Sequence, residues 1–258
     1  MTTINASKPP LLFEFLGLEE RQVLISLAKG REELSVIARL EDFYGAALSF
    51  DSVVEDEAAI FQLLTLIHYH FLFATACHLR CHLSEAFAST RVAIDAALIA
   101  AHIIDDRALQ VAYVKREKPF DNLMRHVGQR IKAGETLPHR LVPLLVKQYK
   151  LISTFASHAD VNSFVHRIRT TREDGKITWM GVEYFQFSHD DAARKSQAFA
   201  IFHTFVMVLD IFADFLVLEK KAVPEQWKED LHKLGAQLQV RARGLKAEAR
   251  PDGGTSES

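Results

Sequence analysis

Apolar residues recur along most of this chain at the three- and four-residue spacing of a helix face, and long stretches lack the Gly or Pro that would interrupt one. None occurs from Ala46 to Lys118, from Leu144 to Asp174, or from Val182 to Val223. The pattern predicts helices over Leu11–Ala28, closed by Gly30, and over Glu32–Leu48. A third starts near Glu55, where Asp51, Glu55, Asp56 and Glu57 suit a helix N-terminus, and runs to about His82. Ser84 then caps a fresh helix, Glu85–Asp105, or marks a kink in a continuing one. Asp121 caps Asn122–Lys132, with Gly134 as its stop, and Pro138 opens His139–Ser157. A long helix covers Asp190–Lys220, and Pro224 starts the last one. Between them, Val165–Glu173 and Lys176–Phe185 are rich in β-branched and aromatic residues and flank Asp174-Gly175, a hairpin signal. The expected fold is all-α, a helical bundle with a small β-hairpin near 165–186. One helical domain, 11–249, follows a flexible N-terminus, 1–10, and precedes a disordered tail, 250–258.

Composition narrows this further. Eleven Gly and seven Pro in 258 residues exclude a collagen-like or turn-dense β protein, and two cysteines, Cys77 and Cys81, exclude a disulfide scaffold. Ala58–Leu79 contains no Asp, Glu, Lys or Arg and is long enough to span a bilayer, but it carries Gln62, Thr65, His68, His70 and His78. The other apolar stretches are broken by charges, Val92–Ile104 by Asp95 and Phe199–Leu218 by Asp210 and Asp214. The expectation is a buried core helix, no membrane contact and a cytoplasmic protein; Met1–Pro10 has one Lys and no apolar core, so no secretory signal is expected. The net charge of −2 hides an asymmetry: residues 115–176 hold 13 Lys and Arg against 6 Asp and Glu. A basic middle suits nucleic acid or phosphate, with Trp179, Tyr184 and Phe185 available to stack on bases; attraction between two halves of a bundle explains it equally.

Candidate chemistry lies in polar stripes. Glu85, Ala88, Val92, Asp95, Ile99, His102 and Asp106 step by three and four residues along an otherwise apolar helix. Arg91 with Asp95, and His102 with Asp106, are i,i+4 pairs that can satisfy one another. A second stripe holds His203, Met207, Asp210 and Asp214. Were the two stripes to face each other, His102, Asp106, His203, Asp210 and Asp214 would offer a divalent metal its ligands; with Asp210 and Asp214 in water they would not. No metal and no cofactor is the favoured expectation. His78 and His82 form H-x3-H beside the two cysteines but lack a third ligand, and Glu229 and His232 form one Glu-x-x-His without a second. His189-Asp190 resembles the pair of the HD phosphohydrolases, which would need His158 or His166 and Asp210 or Asp214 beside it, and reads equally as a helix cap. No G-x-S-x-G, phosphate-binding Gly loop or Rossmann fingerprint is present. Ser153, Thr154, Ser157 and His158 make a small polar patch near a helix end.

The run Tyr149-Lys-Leu-Ile-Ser-Thr-Phe-Ala-Ser-His158-Ala-Asp, with Arg80 and Glu85 on an earlier helix, resembles bacterial all-helical proteins of the HEPN-like kind over about residues 60–218. Some such proteins act in abortive infection and RNA cleavage. The ribonucleases among them use Arg, four to six residues, then His; no Arg here has a His at that distance, so the resemblance implies the helical scaffold. The functional expectation is a non-catalytic helical binding or regulatory protein, able to self-associate, with Arg91, Asp95, His102, Asp106, Ser153 and His158 as candidate binding residues. The alternatives are a metal-dependent phosphoesterase or nuclease built on the Asp/His stripes, and a nucleic-acid-associated defence protein using the basic 115–176.

Overall fold

The computed structural model describes residues 11–49, 58–116, 123–156, 168–173, 176–182, 191–220 and 222–248. The expected flexible N-terminus, the tail, His158, His189-Asp190 and the Asp174-Gly175 turn lie outside them. The fold is all-α. Its helices are α1 (Leu12–Lys29), α2 (Arg31–Leu48), α3 (Ala58–Leu79), α4 (Leu83–Ile103), α5 (Arg107–Val114), α6 (Leu123–Ala133), α7 (Val142–Ala156), α8 (Asp191–Asp210) and α9 (Glu225–Glu248).

The core forms where α3 and α4 pack together and α8 packs on α9, with α2 and α7 closing the sides. It is aromatic: Phe71 of α3 meets Phe205 of α8 edge-on at 5.3 Å and stacks on Tyr44 of α2 at 5.2 Å. The buried Tyr44 hydroxyl donates to the Phe205 carbonyl at 3.1 Å, so the one polar atom brought in by this ring is satisfied.

Four boundaries depart from the expected ones. The break between α3 and α4 falls at Arg80–His82, ahead of Ser84. There the His82 amide donates to the Cys77 carbonyl at 2.8 Å, which closes α3 with a residue in the left-handed region, Cys81 at φ 62°. Glycine is the usual occupant of that position, and a cysteine gives no such signal in the sequence. The helix expected to open at Pro138 begins at Val142, after a turn in which the Val142 amide donates to the His139 carbonyl. Helix α5 was not expected. Asp106 starts it, its carboxylate accepting from the Ala108 and Leu109 amides at 2.9 and 3.1 Å, while Gln110 donates to the Ile103 and Ile104 carbonyls that end α4. Finally, the helix expected to reach Lys220 stops at Asp210, and a π-helical turn follows at Phe215–Glu219. The wide turn puts both Phe215 and Leu216 into the core before the chain reaches Pro224.

Helix α3 is central, as expected, but it is not buried all round: Leu66, Tyr69, Leu72 and Phe73 are exposed. Nor does it stand alone in length and composition, because Leu83–Ile103 is also long and apolar enough to cross a membrane. Asp95 does not disqualify that helix, since its most apolar 18-residue stretch, which includes Asp95, still has a mean hydropathy of 1.3.

Candidate functional site

The mixed stripe of α4 is exposed at Glu85 and Val92 and reaches α6 at its far end, through His102. Arg91 lies over the Tyr149 ring of α7, 4.7 Å from its centroid. The direct Arg91–Asp95 pairing expected from the spacing is thus replaced by a cation–π contact, which a guanidinium makes readily against a partly dry aromatic face. Asp95 is half-buried, and burial pushes its carboxyl up to about 6, with Arg91 pulling the other way through space. Ser153, one turn along α7 from Tyr149, donates to the Tyr149 carbonyl at 2.7 Å. Its hydroxyl proton is therefore used within its own helix, which leaves the oxygen able only to accept.

His102, in the last turn of α4, lines a cleft of about 460 Å³ with His126, Val127, Gln129, Arg130, Ala133 and Glu135. The wall opposite α4 is α6, and its end is fixed locally. Gly134 takes φ 69°, the Glu135 amide donates to the Arg130 carbonyl at 3.1 Å, and Arg130 donates to the Glu135 carboxylate at 2.8 Å and the Thr136 carbonyl at 2.7 Å. Burial, aided by the Arg130 charge, lowers the His102 pKa, with Asp106 opposing. An imidazole held neutral beside a polar and apolar wall can donate or accept a hydrogen bond. The expected His102–Asp106 pairing is not what positions Asp106, whose carboxylate caps α5 instead.

The second stripe turns away from α4 because α8 packs along α9. Burial lowers the pKa of His203, and so does the Arg243 charge on α9. Asp210 is buried at the end of α8 and held twice: Arg140 Nη2 donates to Oδ2 at 2.7 Å, and His232 Nε2 lies 2.6 Å from Oδ1. The Nε2 that donates to Asp210 cannot also accept from Arg140, 3.1 Å away, so both partners serve the carboxylate. A carboxylate at a helix C-terminus faces the negative end of the dipole, and these two donors offset that. Asp214 is exposed and pairs with Lys228, whose hydrogen bond lowers the Asp214 pKa. The five residues His102, Asp106, His203, Asp210 and Asp214 are thus committed to separate places, and among the described residues no three His, Cys, Asp or Glu side chains converge to hold a metal.

H-x3-H is likewise divided. His78 lies in the core against the Phe202 ring, where burial and then Arg194 push its imidazole down to about 4. His82 precedes α4 and meets Glu19 of α1 at 2.6 Å. Burial pushes the Cys77 thiol up to about 11 and raises that of Cys81, which keeps both protonated and unreactive. Of Glu-x-x-His, Glu229 pairs with Lys233 and His232 with Asp210.

Two polar features escaped the sequence reading. One is the Arg140–Asp210–His232 clasp, for which the lone Glu-x-x-His named only one member. The other is a buried ion pair between Glu33 of α2 and Arg194 of α8, 2.6 Å apart. Their 161-residue separation leaves no local signal. Compared with family models, with curated proteins and with solved structures, the chain matches none of them.

Proposed function

We propose that this chain is a non-catalytic helical binding protein whose ligand sits in the cleft between the end of α4 and α6. The cleft itself is the observation that supports this: its volume of about 460 Å³ lies in the range of small-molecule sites, and it joins apolar Val127 and Ala133 to the polar heads of His102, His126 and Gln129. The HEPN-like helical scaffold, a cytoplasmic location and a β-hairpin near 165–186 turning at Asp174-Gly175 belong to the same reading. Ala133→Trp, at an exposed position on the cleft wall, would fill it without touching the core. In ligand-observed NMR with a fragment mixture, wild type should bind fragments that Ala133→Trp no longer binds. Equal binding by both proteins, or none by either, would discard the cleft.

A second reading has its own support. Helix α6 contains no acid, and Arg125 and Lys132 are exposed on it, as are Lys147 and Lys150 on the adjoining α7. That is the footprint of a nucleic-acid-associated protein. Binding to a mixed RNA pool that weakens steeply with salt, and more weakly still in Arg125→Ala/Lys132→Ala, would favour it.

A further inference from the structure

The polar groups on the wall of the His102 cleft are rich in hydrogen-bond donors. Gln129 brings a carboxamide, His102 and His126 an imidazole each, and Arg130 a guanidinium. The bonds from Arg130 to Glu135 and Thr136 use two of the five N–H groups that a guanidinium carries, so others remain on a side chain that lines the cleft. The surrounding charge has the same sense. From Leu123 to Thr136, three basic residues, Arg125, Arg130 and Lys132, stand against one acid, Glu135. On the α4 side, the Arg130 charge acts on His102 more strongly than that of Asp106, whose carboxylate is turned to the α5 amides.

We infer that the ligand of this cleft is a small organic anion, a carboxylate on an apolar body, which rests on the cleft being the binding site. The carboxylate lies at Arg130, His126 and Gln129, and the body covers Val127 and Ala133. A guanidinium fork matches a carboxylate in shape and charge, and the neighbouring imidazole and carboxamide supply further donors. Two features would favour a cation instead, and the fold answers both. The cleft adjoins the C-terminal ends of α4 and α6, the negative ends of their dipoles. Their last carbonyls are already occupied: Gln110 donates to those of Ile103 and Ile104, and the Gly134 and Glu135 amides donate to those of Ile131 and Arg130. The Glu135 carboxylate is the other feature, and Arg130 holds it at 2.8 Å. An ammonium entering here would meet three basic side chains of α6 for one acid that is already paired.

Benzoate, benzamide and benzylamine share a ring and differ in charge, so NMR titration of the full chain with each tests this. Wild type should bind benzoate at least about tenfold more tightly than benzamide, and benzylamine more weakly than either. Arg130→Gln should bring benzoate down to the affinity of benzamide, whose own binding stays within about twofold and so reports an intact cleft. The comparison on wild type stands even if that variant does not fold. Benzylamine bound more tightly than benzoate, benzamide bound as tightly as benzoate, or a benzoate preference that survives Arg130→Gln would each overturn the anion. Inorganic phosphate that displaces benzoate at equal concentration would overturn the apolar body. Failure of the anion and failure of the cleft are separable. If the fragment mixture binds in a way that Ala133→Trp abolishes but benzoate does not bind, the anion falls alone; if nothing binds, the cleft falls with it.

Discussion

His78 lies in the core beside Phe202 and within the field of Arg194, with its imidazole pushed down to about 4 from 6.5. As pH falls from 6.5 towards 4, the unfolded chain takes up a proton that the folded chain refuses. Stability therefore drops across that window, by up to roughly 3 kcal/mol. Asp95 has the opposite sign. Its carboxyl rises from 3.8 to about 6, so between those values the folded chain keeps a proton that the unfolded chain has released, and stability falls as pH rises through the window. Asp95→Asn should thus add about 1 kcal/mol near pH 7, a figure reduced for its partial exposure, and nothing at about pH 3.5. His78→Gln should flatten the acid limb of urea-unfolding stability between about pH 6.5 and 4. An acid limb unchanged in His78→Gln would mean that another group carries it.

At the scale of the element, α3 shows how one apolar pattern serves two surroundings. Leu64 is fully buried among the core residues, and Leu66, two positions on, is exposed. Leu64→Ala should cost roughly 2–5 kcal/mol, through lost burial and the cavity left behind. In dilute protein, where any self-association is absent, Leu66→Ala should change stability by less than about 1 kcal/mol. Chemical denaturation of the two variants separates them, and equal costs would contradict the orientation of the helix. The break before α4 is an element-scale decision of the same kind: backbone hydrogen bonds around Cys81 end α3, and the residue's type does not announce it.

Across the whole molecule, the Glu33–Arg194 pair joins α2 to α8 with side chains only 1% and 8% exposed. Removing one member leaves the other charge buried, so Glu33→Leu alone should destabilise by about 3–5 kcal/mol. Glu33→Leu with Arg194→Met replaces both charges by apolar groups and should recover most of that loss. A double-mutant cycle by urea unfolding measures the difference, and a double variant as unstable as Glu33→Leu would show that Arg194 is held by more than Glu33.

Periodicity and the spacing of Gly and Pro determined the all-α class and most helices, because a helix must show its 3.6-residue repeat and its stops locally. They were sufficient for α1 and α2 to within about two residues and for the lengths of α4 and α6. Short α5 was legible only through Asp106, a capping residue whose i,i+4 spacing to His102 suggested a pair instead. What tertiary structure alone decided is which face of each helix meets which neighbour. Spacing put His203, Asp210 and Asp214 on one side of the expected Asp190–Lys220 helix, but α8 ends at Asp210, and packing turned its His203 side to α9 and away from the His102 cleft on α4. Likewise Arg140, His232 and Asp210 come from three separate parts of the chain. A helix repeat fixes angles about its own axis, whereas the rotation of one axis against another is set by which side chains interlock across the core.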